Sequence, residues 1–231
     1  MADNPLLPEH RLRELRAMML RVRKLDRRRE PAGREALLAS MLLHLSAGDL
    51  LSAAPGDRTL FELAPPPASN GSHHELPPAL RLPLCAGAAR GLQTAAPDRL
   101  VVAYTTPVAN EPGWSDAISW AHRDQLPFLL VCADVSQGPP PPRRPRARTS
   151  PLTWSTVSQL AGKLHLPLFP VDGGDAVAVF RVMQETTQRA RAQGGPSIIW
   201  AVLRPGVLPP KEQPLRRLEA YLAARGIPLQ E

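Results

Sequence analysis

Few residues of this chain combine a type and a spacing that chemistry requires, and most that do fall between Leu100 and Val135. Asp134 stands near the carboxyl end of the apolar run Phe128 to Val135, the end of a strand at which α/β proteins collect ligands. A carboxylate there can give oxygen to a hard cation; the plainer role, and the preferred one, is a polar cap that ends the strand. Thr106 follows the run Leu100 to Tyr104 and offers only an uncharged hydroxyl, while Pro107 beside it has no N–H to give an anion. Asn110 lies in Ala109-Asn110-Glu111-Pro112-Gly113, a turn that needs no ligand to explain its asparagine. His73, His74 and Glu75 suggest a metal site, but adjacent histidines on a strand point to opposite faces, and Asn70-Gly71-Ser72 reads as a surface turn. Cys85 and Cys132 lie in apolar segments without ligand spacing and read as small, reduced core residues. These residues assign no catalytic group and no metal ligand set.

The elements that must position them alternate. Leu100 to Tyr104 and Phe128 to Val135 are short apolar runs rich in β-formers, and the segment between them, Ser115 to Asp124, has helical spacing, which makes a βαβ unit. The spacing predicts helices over about Glu9 to Arg29, Arg34 to Leu45 and Leu84 to Ala95 before that unit. After it come helices at Trp154 to Leu164, Ala176 to Ala192 and Pro214 to Arg225, with strands at Leu168 to Val171 and Ser197 to Leu203. Alternation of this kind predicts an α/β fold, a parallel sheet flanked by helices on both faces. No internal repeat is visible.

The βαβ unit resembles the diphosphate-binding core of the α chain of the E1 component of thiamine diphosphate-dependent 2-oxo acid dehydrogenases. In that family the first strand ends in Tyr/Phe-Gly-Asp-Gly-Ala, the helix contains Glu-Ala, and Leu-Pro precedes a strand ending in Cys-Glu-Asn-Asn. The same frame here reads Tyr104-Thr105-Thr106-Pro107-Val108, Asp116-Ala117, Leu126-Pro127 and Cys132-Ala133-Asp134-Val135. Flanking blocks agree in order: Ala32-Gly33-Arg34-Glu35-Ala36-Leu37, Leu45-Ser46-Ala47-Gly48-Asp49-Leu50, Arg81 to Ala89, Val171 to Val179 and Gly195-Pro196-Ser197-Ile198-Ile199-Trp200-Ala201.

The resemblance implies the thiamine diphosphate-binding fold, and it also shows what is missing. Thr106 stands where the family's cation-binding Asp belongs, and Val135 where its Asn belongs. Thr105 and Pro107 replace glycines that let backbone N–H groups approach phosphate. Thr106, Asn110 and Asp134 are therefore the vestigial cofactor-binding positions. The family's Tyr-Arg-Asp-His segment gives way to Ser52 to Asp57 and a Pro/Ser/Asn-rich loop, Pro65 to Ser72. Its His-Gly-His loop gives way to Leu203 to Pro210, and no histidine follows His165. The expectation is a degenerate E1-α-like subunit without magnesium thiamine diphosphate, structural or regulatory beside an E1-β-like or intact E1 chain. The alternative is an active thiamine diphosphate-dependent oxidoreductase, completed by a β chain and with Asp134 and Thr106 as replacement ligands.

Composition sets the outer bounds. The 231 residues, 43% of them hydrophobic, suffice for one substantial core. The expected organisation is an N-terminal basic amphipathic helix (1–30), an E1-like domain (31–205) with a Pro/Arg-rich loop (138–150), and a C-terminal linker and helix (206–231). No run is apolar enough to span a bilayer and the N-terminus lacks a signal peptide's core, so the expected location is cytoplasmic. The net charge of +7 raises a nucleic-acid reading. Nine Lys/Arg residues between Arg11 and Arg29 lie on the helix whose apolar positions are Leu12, Leu15, Met18, Met19, Val22 and Leu25; Arg143, Arg144, Arg146 and Arg148 follow a proline run. Only 4% of the chain is aromatic and neither cluster is interleaved with aromatics, so solvated basic faces are preferred over a nucleic-acid-binding module.

Overall fold

The computed structural model describes residues 7–26, 33–53, 57–65, 78–107, 111–135, 152–204 and 209–229. The elements run α1 (Glu9–Asp26), α2 (Glu35–His44), β1 (Leu50–Ser52), α3 (Arg58–Leu63), α4 (Pro78–Ala95), β2 (Val101–Thr105), α5 (Trp114–Arg123), β3 (Phe128–Asp134), α6 (Trp154–Leu164), β4 (Leu168–Asp172), α7 (Ala176–Arg191), β5 (Ser197–Val202) and α8 (Pro214–Ala224). A 3-10 turn at Pro210–Glu212 precedes α8.

All four strand pairings are parallel, in the order β1-β2-β3-β5-β4. Strands β2 and β3 are buried along their whole length, which is why they read as unbroken apolar runs rather than as alternation. β4 is an edge strand, half exposed, and this is where a strand tolerates Pro170. Helices α4, α5 and α6 cover one face, through a core that includes Cys85, Trp114, Ile118, Phe128, Cys132 and Trp200. The opposite face carries α1, α2, α7 and α8, through Leu15, Leu37, Tyr104, Val179, Ile199 and Leu218. The first and last helices thus share one core.

Four of the strands and seven of the helices lie where the spacing places them. The sequence reading has neither β1 nor α3, and it starts α4 at Leu84. β1 is three residues long, too short for a period, and exists through its pairing of Leu50 to Ser52 with Val101 to Ala103. α4 begins six residues earlier and carries Pro83 inside it. Pro83 lies within the first two turns, so most of the helix is unaffected by its missing N–H.

Local chemistry ends the helices. Thr153 caps α6, accepting from the Thr156 N–H while the Thr156 hydroxyl accepts from the Thr153 N–H, and His165 closes the helix in a left-handed conformation. Asp175 caps α7 by accepting from the N–H groups of Val177 and Ala178. At the turn between β4 and α7 a Cβ at position 173 would stand 2.5 Å from Leu203 Cδ2 and 3.1 Å from the Val202 carbonyl, so the Leu203 side chain would have to shift to admit one.

Candidate functional site

Neighbouring strands β3 and β5 send the chain to opposite faces, β3 toward α6 and β5 toward α8, so their carboxyl ends flank the switch point of the sheet. In an open parallel sheet this end is where ligands bind. The vestigial positions lie along it: Thr106 follows β2, and Asp134 is the last residue of β3. Asn110 lies outside the described residues, as do His73, His74, Glu75 and the Arg143 to Arg148 cluster.

Asp134 is buried, and its Oδ2 accepts a hydrogen bond from the indole Nε1 of Trp200 at 3.0 Å. Its backbone carbonyl accepts from the Leu203 N–H at 2.7 Å. Trp200 is itself buried and meets Trp154 edge-on, ring centroids 5.8 Å apart. The carboxylate therefore serves an indole that would otherwise carry an unpaired buried donor. Val135, one residue on, is a partly exposed hydrocarbon.

The carboxyl end of β2 is clamped on both faces. Successive strand residues point to opposite sides, and Tyr104 and Thr105 each reach a buried guanidinium cluster. On the α4 side, Arg81 Nε donates to Glu111 Oε1 at 2.6 Å, Nη2 donates to the same oxygen, and Nη1 donates to Ser52 Oγ at 3.0 Å. The two side chains are 1% and 2% exposed, so this is a fully desolvated pair. Burial pushes the Glu111 carboxyl upward against the opposing pull of Arg81 and of the Thr105 hydroxyl. Burial likewise raises the Cys85 thiol, and Cys132 is held well above its ordinary value by burial and by the charges of Asp134 and Glu111. Neither cysteine is a ready nucleophile.

On the other face, Arg34 bridges two acids. Its Nε and Nη2 donate to Asp26 at 2.8 and 2.9 Å, and Nη1 donates to Asp57 at 2.6 Å. Thr59 donates to Asp26 at 2.7 Å. Burial raises Asp57 despite Arg34, and burial raises the Tyr104 phenol, which shares a hydrogen bond with Arg34. The Glu35 carboxylate, also buried, accepts from the Gly33 N–H at 2.9 Å.

Sequence reasoning passed over Arg81, Glu111 and the Arg34 cluster as functional or structural centres. One signal was present: Arg81 is a charge at the start of an otherwise apolar helix, and Glu111 a charge in a turn with no cation within several residues. Their pairing crosses 30 positions, which no local pattern reports.

Three cavities among the described residues lie at the other side of this end of the sheet. One of about 350 Å³ sits between α7 and α8 against Asp175, Arg181, Arg217 and Tyr221. Others of about 190 and 580 Å³ share Asp172 and Arg204 at the ends of β4 and β5. Four of their charges pair internally, Arg217 with Asp172 and Arg204 with Glu212, both at 2.8 Å. No group of three His, Cys, Asp or Glu side chains among the described residues could hold a metal ion, and no helix among them is long and apolar enough to cross a membrane.

No protein-family model and no curated protein sequence matches the chain. Solved structures do. Benzoylformate decarboxylase from Polynucleobacter necessarius superposes with a TM-score of 0.52 at 14% identity, over 75% of this chain and 33% of that one. A chain from Mycobacterium smegmatis described as a thiamin diphosphate-dependent enzyme superposes with a TM-score of 0.52 at 16% identity, over 76% and 33%. The parallel sheet with its two helical layers is therefore the fold of thiamine diphosphate-dependent enzymes, and the chain spans about a third of the length of those two.

Among the described residues, those at the carboxyl ends of β2 and β3 do not fit a magnesium diphosphate. A hard cation takes several oxygen ligands, yet Thr106 has a single hydroxyl, Val135 has no side-chain oxygen, and the Asp134 carboxylate is engaged with Trp200. Pro107 lacks an N–H. Glu111, the remaining carboxylate near the end of β2, is tied to a guanidinium that already neutralises it.

Proposed function

We propose that this chain is a degenerate relative of the E1 α subunits of 2-oxo acid dehydrogenases, keeping the thiamine diphosphate-binding fold without holding the magnesium-bound cofactor. Its role in this reading is structural or regulatory, beside an E1-β-like or intact E1 chain. The observation that carries it is the character of the carboxyl ends of β2 and β3. Protein groups pair with one another there, Arg81 with Glu111 Oε1 and Ser52, and Trp200 with Asp134, and the buried oxygen left over, Glu111 Oε2, is an acceptor and not a donor that an anionic diphosphate could use. An enzyme poised to take a charged ligand leaves polar groups aimed at the ligand's position.

Calorimetric titration of the purified chain with thiamine diphosphate and magnesium tests this, alone and with a candidate β-like chain. The expected result is no saturable heat in either mixture. Saturable binding that needs magnesium would overturn it in favour of the second reading, an active thiamine diphosphate-dependent oxidoreductase completed by a partner. That reading draws on the carboxylate of Asp134 at the switch point. It predicts that Asp134→Asn abolishes the binding.

A further inference from the structure

Helices α7 and α8 enter one cavity with the same spacing. Val177 and Arg181 stand one turn apart on α7, and Arg217 and Tyr221 one turn apart on α8. All four line the cavity of about 350 Å³ between these helices, with Ala176 and Leu218 as further apolar wall. A hollow of this size, with apolar walls and a few polar groups, has the dimensions and character of a small-molecule site. It lies at the start of α7, after the edge strand β4, and not at the ends of β2 and β3 where the cofactor-binding frame falls.

The charges lining this cavity do not cancel. Two guanidinium groups, Arg181 and Arg217, face one carboxylate, Asp175. Asp175 is already committed: its Oδ1 accepts from the Val177 and Ala178 N–H groups, and its Oδ2 lies 3.7 Å from Arg217 Nη2. Arg217 is committed in turn, through Nη1 to Asp172 at 2.8 Å. No described residue pairs with Arg181. Tyr221 adds a donor, since its hydroxyl accepts from Arg225 Nη1 at 2.9 Å and keeps its own proton to give. The Arg225 guanidinium also stands 5.3 Å from the Tyr221 ring centroid, so a third cation backs the phenol.

One uncommitted guanidinium and one phenolic O–H match the two oxygens of a single carboxylate. Ala176, Val177 and Leu218 offer the hydrocarbon attached to it a place out of water. We propose that the cavity between α7 and α8 binds a small organic carboxylate with an apolar body, its oxygens on Arg181 and Tyr221 and its body against the first turns of the two helices. The lining holds no histidine, cysteine, serine or lysine, so the site binds its ligand rather than converting it. The inference uses no residue at the ends of β2 and β3 and is independent of whether magnesium thiamine diphosphate binds.

Titration of the isotope-labelled full chain with 2-naphthoate, without magnesium and followed by amide chemical shifts, tests it. The shifts should concentrate in the N–H signals of Ala176 to Arg181 and Arg217 to Tyr221, with a Kd on the order of 1 mM for a ligand of this size. The neutral 2-naphthamide, which lacks the charge, and inorganic phosphate, which lacks the body, should each bind at least about tenfold more weakly. Arg181→Gln should weaken 2-naphthoate at least about tenfold and leave the thermal midpoint unchanged, because it breaks no pairing among the described residues. Arg181→Lys should restore part of the affinity, and Tyr221→Phe should cost about threefold. No shifts up to about 20 mM ligand, shifts centred elsewhere, binding indifferent to Arg181→Gln, or phosphate bound as tightly as 2-naphthoate would each overturn the proposal. No magnesium enters this titration, so its failure and that of the cofactor reading are seen separately.

Discussion

Asp134 shows how a single residue can keep its identity while its surroundings give it other work. At the end of β3 it has the position and the oxygens of a ligand, and the structure spends one oxygen on the Trp200 indole. Asp134→Ala should therefore cost about 1–3 kcal/mol by leaving a buried donor unpaired, measured by urea unfolding followed through tryptophan fluorescence. Arg81 and Glu111 carry higher stakes. Removing one partner of a buried pair strands the other charge, at about 3–5 kcal/mol. Arg81→Met should lose that much stability, and the double variant Arg81→Met with Glu111→Gln should recover part of it. His44 supplies a pH signature. Burial, with Arg11 and Arg191 nearby, lowers its pKa below the ordinary 6.5 against the pull of the Ser40 carbonyl at 2.7 Å. The unfolded chain then binds a proton at a pH where the folded chain does not, so His44's contribution is intact above about pH 6.5 and falls as pH drops through the lowered value. His44→Gln should flatten that slope in unfolding free energies measured between pH 5 and 7.

Whole elements owe their ends to particular residues, and those ends can be tested one at a time. Asp175 satisfies two N–H groups at the start of α7, so Asp175→Ala should cost about 1 kcal/mol. A methyl group at Gly173, two residues earlier, would displace the Leu203 side chain, whose Cδ2 lies at 2.5 Å, and stand tightly against the Val202 carbonyl at 3.1 Å. Gly173→Ala should destabilise by about 1–3 kcal/mol through displacement of β5's end, read as a lower thermal midpoint. The turn Asp172 to Asp175 falls between the strand at Leu168 to Val171 and the helix at Ala176 to Ala192 that the sequence pattern predicts. The strand β1 was not legible, because three residues cannot show a period and its partner lies 51 positions away.

Across the whole molecule, the sheet separates two cores, and the first and last helices close one of them. Leu12, Leu15 and Met19 from α1 and Leu215, Leu218 and Leu222 from α8 lie in the same apolar cluster as Leu37 and Val179. Arg16 reinforces the contact through Glu219 at 3.0 Å. The terminal helices should therefore unfold with the sheet. Leu15→Ala and Leu218→Ala, at opposite ends of the chain, should each cost about 2–5 kcal/mol and leave a single transition, with far-UV circular dichroism and tryptophan fluorescence coinciding. Separate transitions would show that one terminal helix is an independent attachment. The match to a third of two thiamine diphosphate-dependent enzymes places a sheet of this kind, with its two helical layers, as one part of longer chains in those proteins.

The sequence by itself determined the alternation of strands and helices, because apolar runs and three- to four-residue spacing are local consequences of burial on a sheet or a helix face. It also determined that Pro107 and Val135 offer a cation no side-chain oxygen and that Thr106 offers only an uncharged hydroxyl, since that follows from side-chain chemistry alone. The tertiary structure decided the strand order, the pairing of β1 with β2, and the two guanidinium clusters that clamp Tyr104 and Thr105. Those depend on contacts such as Arg81 with Glu111 and Arg34 with Asp57, between residues far apart in the chain. A charge's partner is set by where folding brings two side chains together, and no periodicity in one dimension records that distance.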